Sequence, residues 1–514
     1  MALLQQISDL VAPLDQPGAP GGVIALARDG VVQECVPFGY ANLEHGVKNS
    51  PQTVFYIAST SKQFVAASIA VLEADGLLAA DDPAAKYLPE IEQLGDIRLH
   101  HLIHHTSGIR DKYSLAAIGR LPVEAISTDQ GTLALLARQR TLSFAPGSRF
   151  MYSNSGYFLL AQVVERCSGR SLADFAQERL FGPLEMSATR FRPDPNDVIP
   201  ARASGYNLTP AGTWKLAEYT WSSLGPGGVV STAESLARWG RVFLSGALDG
   251  LAARLVSTRP LDDGVPNTYA YGLQLATLEG VPILQHAGGV AGFSAQMIQV
   301  PSEALTVVCL ANCATVCAAL VASRVVEIAL GKTPATASPV EPIEPVRAPD
   351  PGTYLDADEA SVITIETEAG GLHVLGIMGQ RVALRPLRPD VWAAAAGEVA
   401  FDEPGLSLRL GDEEVRYQRL HDAELADPEE LEGSYTSQEL GVTLTVARSS
   451  GGLQLAWPDQ EPAALSCVGE DLVLLTLQGT LVPVRFLRSK GAVSGLRISV
   501  DRALGTLFAR APLS

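Results

Sequence analysis

Thr53-Val54-Phe55-Tyr56-Ile57-Ala58-Ser59-Thr60-Ser61-Lys62-Gln63-Phe64 is the stretch that decides the fold. An apolar run leads into a serine. The residues that follow predict a long apolar helix from about Ser59 to Asp75, ended by Gly76. On a helix, positions i and i+3 share a face, so the Ser59 hydroxyl and the Lys62 amine can meet. The helix N-terminus carries partial positive charge, which lowers a neighbouring ammonium pKa and favours an oxyanion. A serine needs a base to become a nucleophile, and a desolvated lysine can serve. The plainer alternative is an N-cap serine beside a solvated lysine, and S-x-x-K alone favours it.

The lysines are few enough to audit. The chain has 514 residues, and only seven of its 38 basic residues are lysine. Among those seven, Lys62 alone has a serine three positions earlier. Net charge is −18, which argues against a nucleic acid partner and for solubility. With 47% hydrophobic and 18% charged residues the composition is globular. At roughly 150 residues per domain, about three domains are expected.

Two further stretches could carry chemistry. Tyr152-Ser153-Asn154 follows the turn Ala145-Pro146-Gly147-Ser148. Tyr152 can act as acid or base if a cation lowers its pKa, and Asn154 can fix both the lysine and a substrate amide. The pattern is weak alone, because Tyr40-Ala41-Asn42 repeats it, and a buried hydrogen-bonded tyrosine is the alternative. His286-Ala287-Gly288-Gly289 lies between predicted strands at 281–286 and 292–300. Its glycines permit close approach of backbone to a ligand, and a free N–H there could complete an oxyanion hole with the Ser59 N–H. His100, His101, His104 and His105 form i,i+4 pairs without a metal-binding pattern, so structural hydrogen bonding is favoured and no metal or cofactor is expected.

The rest of the first 330 residues predicts an α+β domain. Val23–Arg28 and Val31–Pro37 flank Asp29-Gly30, a hairpin signal. Helices are expected near 131–140, 155–168, 171–180 and 232–245, and another strand at 305–311. Strands at both ends with helices between suggest one antiparallel sheet and a helical cluster. Ala304 to Ser323 is 20 residues without a charge, long enough to span a bilayer. A strand, a turn at Asn312 and a core helix from about Ala314 to Leu330 explain it better. MALLQQISDL has no basic n-region, and six scattered cysteines make no disulfide framework, so a cytoplasmic location is expected.

Proline recurs at 334, 339, 342, 345, 349 and 351, which marks a linker over 332–351. Beyond it the chain repeats itself at an offset of 81. Gly352, Tyr354, Gly370, Gly371, Leu372 and Asp390 fall on Gly433, Tyr435, Gly451, Gly452, Leu453 and Asp471. Each copy reads as short strands with glycine turns, closing as a small antiparallel barrel or sandwich. The expected layout is a catalytic domain over 1–331, a first barrel over 352–427 and a second over 428–514.

Taken in order, Ser59-x-x-Lys62, Tyr152-x-Asn154 and His286-x-Gly288 resemble the penicillin-recognising serine hydrolases. His105-Thr106-Ser107-Gly108, Pro146-Gly147-Ser148 and Gly227-Gly228-Val229-Val230-Ser231-Thr232 belong to the same likeness, which covers residues 20–330 and implies a β-lactamase-like catalytic domain. The layout is similar to that of the D-aminopeptidases. So are Ser107-Gly108-Ile109-Arg110-Asp111 and the run from Gly433 to Leu440. The resemblance implies Ser59 as nucleophile, Lys62 and Tyr152 sharing base and acid work, Asn154 orienting them, and His286 opposite the nucleophile. It also implies an oxyanion hole of the Ser59 and Gly289 N–H groups.

The function implied is acyl-enzyme hydrolysis of small amides or peptides, first of all the release of N-terminal D-residues. An esterase or β-lactamase-like activity on the same site is the alternative. In the D-aminopeptidases a loop of the last barrel limits the substrate. The matching hairpin here, near Gln478-Gly479-Thr480, reads as short, which opens the site to esters, amides or longer peptides. The partners implied are such substrates, with no nucleic acid and no membrane. A homodimer is left open.

Overall fold

The computed structural model describes residues 2–514 apart from 210, 218–219, 245, 249, 333–349, 360, 369–371, 378–379, 389, 395–396, 403–404, 411–412, 422, 424–427, 478 and 512–514. Nearly all of the proline-rich linker and the anchors Gly370 and Gly371 therefore lie outside the described residues, as does Gln478. The chain divides into two compact units. The first comprises Met1–Ile109, Glu124–Ala137 and Phe144–Thr336; the second comprises Arg110–Val123, Arg138–Ser143 and Ala337–Ser514.

The first unit is built on a six-stranded antiparallel sheet. Its strands are β1 (Gly22–Arg28), β2 (Val31–Phe38), β3 (Gln274–Leu278), β4 (Val281–Val290), β5 (Phe293–Val300) and β6 (Leu305–Ala311), in spatial order β3-β4-β5-β6-β1-β2. The expected hairpin joins β1 to β2. Asp29 and Gly30 both take positive φ, 50° and 73°, which matches the right-handed strand twist. β6 is buried along its whole length because it pairs with β5 and β1 and is covered on both faces. On one face Val307, Cys309 and Ala311 pack with Val321 and Val325 of α4 (Ala318–Ala329) and with Ile7 and Val11 of α1 (Ala2–Val11). On the other face Gly240 lies so close that a Cβ there would stand 2.1 Å from Thr306 Oγ1.

The uncharged stretch from Ala304 is thus strand β6 followed by α4, as expected. No helix among the described residues is long and apolar enough to cross a membrane.

At the centre of the helical cluster lie α2 (Lys62–Ala74) and α3 (Asn154–Ser168), packed together. α2 is buried almost all round, including Phe64, Val65, Ile69 and Leu72, as befits a helix with no polar face. It begins three residues later than expected. Ala58–Ser61 forms a 3₁₀ turn, and Ala58 takes φ 48°, a left-handed conformation costly for a residue with a Cβ.

The second unit holds two related β structures. Eight strands from Gly433–Ser437 to Ala503–Arg510 form a closed barrel. Among the described residues the first copy is instead a curled nine-stranded sheet from Gly352–Asp356 to Glu413–Arg419. Its two edge strands, Gln380–Ala383 and Arg385–Arg388, are separated by Leu384 alone. The first edge strand pairs with Leu372–Ile377 and the second with Val391–Ala394. In the barrel one unbroken strand, Ala463–Gly469, makes both pairings through its two halves.

The copies repeat in detail. Tyr354 Oη donates to Asp350 O at 2.8 Å, and Tyr435 Oη to Leu431 O at 2.7 Å. Gly352 and Gly433 share φ values of 159° and 148°, each beside an arginine, Arg419 or Arg510.

Two segments from early in the chain complete this unit. The helix Lys112–Gly119 and residues 138–143 bind the barrel through a buried pair. Arg110 Nη1 stands 3.3 Å from Glu439 Oε2, with both side chains buried. Glu439 Oε1 accepts from the N–H of Arg140 at 2.6 Å and of Thr141 at 3.1 Å.

Candidate active site

The site lies wholly in the first unit. Ser59 sits in the 3₁₀ turn ahead of α2, and Lys62 is the first residue of that helix. Lys62 is fully buried, so the reading with a solvated lysine fails. Its Nζ lies 3.2 Å from Ser59 Oγ, 2.9 Å from Asn154 Oδ1 and 2.9 Å from Pro226 O.

The placement of Asn154 follows from a helix cap. Ser153 has extended backbone (φ −130°), and its Oγ accepts from Gly156 N at 3.4 Å, which starts α3 at Asn154. His105 holds the residues on either side of Tyr152, its O accepting from Met151 N at 2.8 Å and its Nδ1 from Ser153 N at 3.0 Å, and the Tyr152 ring centroid is 4.7 Å from Lys62 Nζ. One turn into α3, the Tyr157 ring is 5.7 Å from the same atom.

Two of the lysine's partners decide what it can do. A side-chain amide oxygen and a peptide carbonyl can only accept. When the amine is neutral, Asn154 and Pro226 hold its two N–H bonds. An amine so held can take a hydroxyl proton, and Ser59 Oγ stands 3.2 Å away.

The opposite wall is β4. The strand runs to Val290 and so includes the glycine stretch, which was expected to lie between strands. Pairing with β3 ends at Gln274–Gln285, while pairing with β5 continues to Val290. His286 to Val290 therefore have one edge turned from the ladder. The Ser59 turn docks on that edge, with Thr60 Oγ1 donating to His286 O at 3.4 Å. Gly288 is required there: a Cβ would stand 2.3 Å from Ile57 O and 3.1 Å from Ser59 N. Gly289 borders open space, where a Cβ would meet nothing within 4 Å.

His286 is buried, and its ring centroid is 6.3 Å from that of Tyr152. Its Nε2 lies 2.8 Å from Tyr269 Oη, and its Nδ1 2.6 Å from Ala287 O. Burial, and then the nearby Lys62 charge, push its pKa down to about 3.

The structure thus brings Ser59, Lys62, Tyr152, Asn154, His286 and Gly288 together, with Gly289 at the open margin. Sequence reasoning missed Tyr157, Pro226 and Tyr269. Tyr157 had a signal, being three positions after Asn154 on one helix. A carbonyl such as that of Pro226 has no side-chain signature. His104 and His105 make structural hydrogen bonds: His104 Nδ1 to Tyr269 O at 2.9 Å, and His105 Nδ1 from Ser153 N at 3.0 Å. No group of three or more His, Cys, Asp or Glu arranged to hold a metal occurs among the described residues.

A half-exposed serine turned toward a buried amine defines the class, a serine hydrolase. Comparison with known proteins gives the family. The family model described as Beta-lactamase matches residues 6–329, and the chain belongs to that family. It is 28% identical over 451 residues to a protein named D-aminopeptidase from Gluconobacter oxydans, covering 86% of this chain and 84% of the relative. It is 27% identical over 484 residues to the D-aminopeptidase of Brucella melitensis, covering 90% and 88%.

Among solved structures it resembles the octameric penicillin-binding protein homologue from Pyrococcus abyssi (TM-score 0.60, 23% identity, 81% of this chain and 99% of that one). SurE matches along nearly the whole length (TM-score 0.55, 20% identity, 99% and 98%).

Proposed function

We propose that the protein hydrolyses small amides and peptides through an acyl-enzyme on Ser59, and that its preferred substrates carry an N-terminal D-residue. The observation that carries the mechanism is Lys62 Nζ at 3.2 Å from Ser59 Oγ, with Asn154 and Pro226 accepting its N–H bonds.

Ser59 Oγ attacks the scissile carbonyl carbon as its proton passes to Lys62 Nζ. The oxyanion forms against the N–H groups of Ser59 and Gly289. Tyr152 relays a proton to the leaving nitrogen, and the C–N bond breaks to leave an ester on Ser59. Water then attacks that ester, gives a proton to the same base, and Ser59 recovers its hydroxyl. Asn154 orients Lys62, and His286 and Gly288 form the wall opposite the nucleophile.

The likeness over most of the chain to proteins named D-aminopeptidase supports the D-preference. A panel of D-alanine p-nitroanilide, L-alanine p-nitroanilide, p-nitrophenyl acetate and a chromogenic cephalosporin tests it. Turnover of the D-anilide well above the L-anilide supports the reading. Turnover confined to the ester or the cephalosporin replaces it with an esterase or β-lactamase-like enzyme on the same site. Six free cysteines support a cytoplasmic location, which cell fractionation tests. Sedimentation equilibrium tests a homodimer.

A further inference from the structure

Tyr269 is buried among the rings of the site. Its ring centroid is 4.4 Å from that of His105, 6.1 Å from Phe150 and 6.0 Å from Tyr152, the last nearly edge-on at 85°. Its backbone is tied as firmly. Tyr269 N donates to Asn267 Oδ1 at 3.0 Å, Asn267 Nδ2 donates to His104 O at 3.0 Å, and His104 Nδ1 lies 2.9 Å from Tyr269 O. This closed circuit leaves the hydroxyl little freedom, and the hydroxyl stands 2.8 Å from His286 Nε2.

The tautomer of His286 follows from its partners. Ala287 O can only accept, so Nδ1 at 2.6 Å from it carries a hydrogen. A neutral imidazole has one N–H, so Nε2 offers a lone pair 2.8 Å from the Tyr269 hydroxyl, which faces Tyr157 as well and can donate to that lone pair. The titratable groups around the ring are Lys62 from α2, Tyr152 ahead of α3, Tyr157 on α3, and Tyr269 with His105 beside it. Once Lys62 has taken the serine proton, its ammonium opposes a second cation at His286, and burial holds the phenol of Tyr269 far above its ordinary range, so it stays a donor.

We propose that Tyr269 is a positioning residue that locks His286 as the uncharged Nδ1–H tautomer, so that His286 takes no proton during turnover and leaves proton transfer to Lys62 and Tyr152. The proposal rests on the acyl-enzyme reading for its kinetic arm only. A histidine in a hydrolase site invites the role of general base, and here both ring nitrogens are already committed. Tyr269 also packs on Tyr152, so one residue sets the position of the uncharged wall and of the phenol beside the lysine.

The test uses full-length protein labelled with ¹⁵N-histidine, the His286 signals being assigned by their loss in His286→Gln. In the wild type we expect a protonated Nδ1 and an unprotonated Nε2, unchanged between pH 5 and 9. In Tyr269→Phe, which keeps the ring, the lock is lost. We expect mixed tautomers or a His286 titration inside that range, a new acidic limb in kcat against pH, and kcat lowered about tenfold with KM changed far less.

The proposal is overturned if the wild type carries the proton on Nε2. It is equally overturned if folded Tyr269→Phe, checked by circular dichroism, keeps both the wild-type tautomer and the wild-type pH profile. The nuclear magnetic resonance arm uses no substrate, so it decides the tautomer even if the substrate assignment is wrong. The kinetic arm runs on whichever compound of the panel is turned over.

Discussion

Lys62 Nζ donates to Asn154 Oδ1 across 2.9 Å, joining the first residue of α2 to the first residue of α3. Two helix starts that are 92 residues apart in the chain thereby place an amine and an amide in one buried spot. The base role proposed for the lysine would depend on that contact as well as on its proximity to Ser59 Oγ.

Lys62→Met keeps most of the side-chain volume and removes the amine. With the amine 3.2 Å from Ser59 Oγ removed, kcat/KM should fall by about a thousandfold or more. Asn154→Ala leaves the base but frees one of its N–H bonds, and should cost about ten- to a hundredfold. Burst kinetics with p-nitrophenyl acetate checks both: the burst rate falls in each variant, and further in Lys62→Met.

Gly288→Ala should separate from Gly289→Ala. The first Cβ would stand 2.3 Å from Ile57 O, so either β4 or the nucleophile turn must move. A shift of about 1 Å at reacting groups can cost about a hundredfold in rate. The second Cβ meets only open space and should leave the burst rate within about tenfold while narrowing the substrates accepted. Parallel kinetics on the two folded variants gives the comparison.

Stability should decline below neutral pH for a reason local to the site. Burial pushes the pKa of His104 down to about 4 and that of His286 to about 3. In the unfolded chain both return to about 6.5 and bind protons first. The unfolded state therefore gains protons as pH falls from about 6.5 towards 4, and each histidine withdraws stability at about 1.4 kcal/mol per pH unit. Above pH 6.5 their contribution is complete. Urea unfolding at pH 7, 5.5 and 4.5 should show a shallower decline for His104→Asn than for the wild type.

Glu439→Ala should destabilise the second unit. It leaves the buried Arg110 guanidinium bonded to Leu504 O and Thr141 O but without its carboxylate, and it removes the acceptor of the Arg140 and Thr141 N–H groups. Removing one member of a buried pair costs about 3 to 5 kcal/mol. Replacing Arg110 and Glu439 together should cost less than the sum of the single variants, which a double-mutant cycle read by urea unfolding will show.

The sequence exposes what depends on local spacing. Ser59 and Lys62 are legible because one helical turn separates them, and Lys62 stands out because lysine is scarce. The duplication after the linker is legible because Gly352 and Tyr354 recur as Gly433 and Tyr435, and both pairs perform the same backbone tasks. Contacts made through the fold are not legible. Ser107-Gly108-Ile109-Arg110-Asp111 and the run ending Glu439-Leu440 stand out as separate stretches, yet nothing in either says that Arg110 meets Glu439. The left-handed Ala58 has no signal, since alanine is not a residue that announces positive φ. The partnership of Tyr269 with His286 arises from a loop folding back on β4, and 17 positions of separation carry no periodicity to reveal it.

The mechanism requires an acyl ester on Ser59. Intact-protein and peptide mass spectrometry after brief exposure to p-nitrophenyl acetate looks for that ester itself. One added acetyl group is expected, mapped to the peptide containing Ser59, with neither adduct nor turnover above background in Ser59→Ala. Undiminished hydrolysis by Ser59→Ala, or a turnover-competent adduct on another residue, would contradict the mechanism.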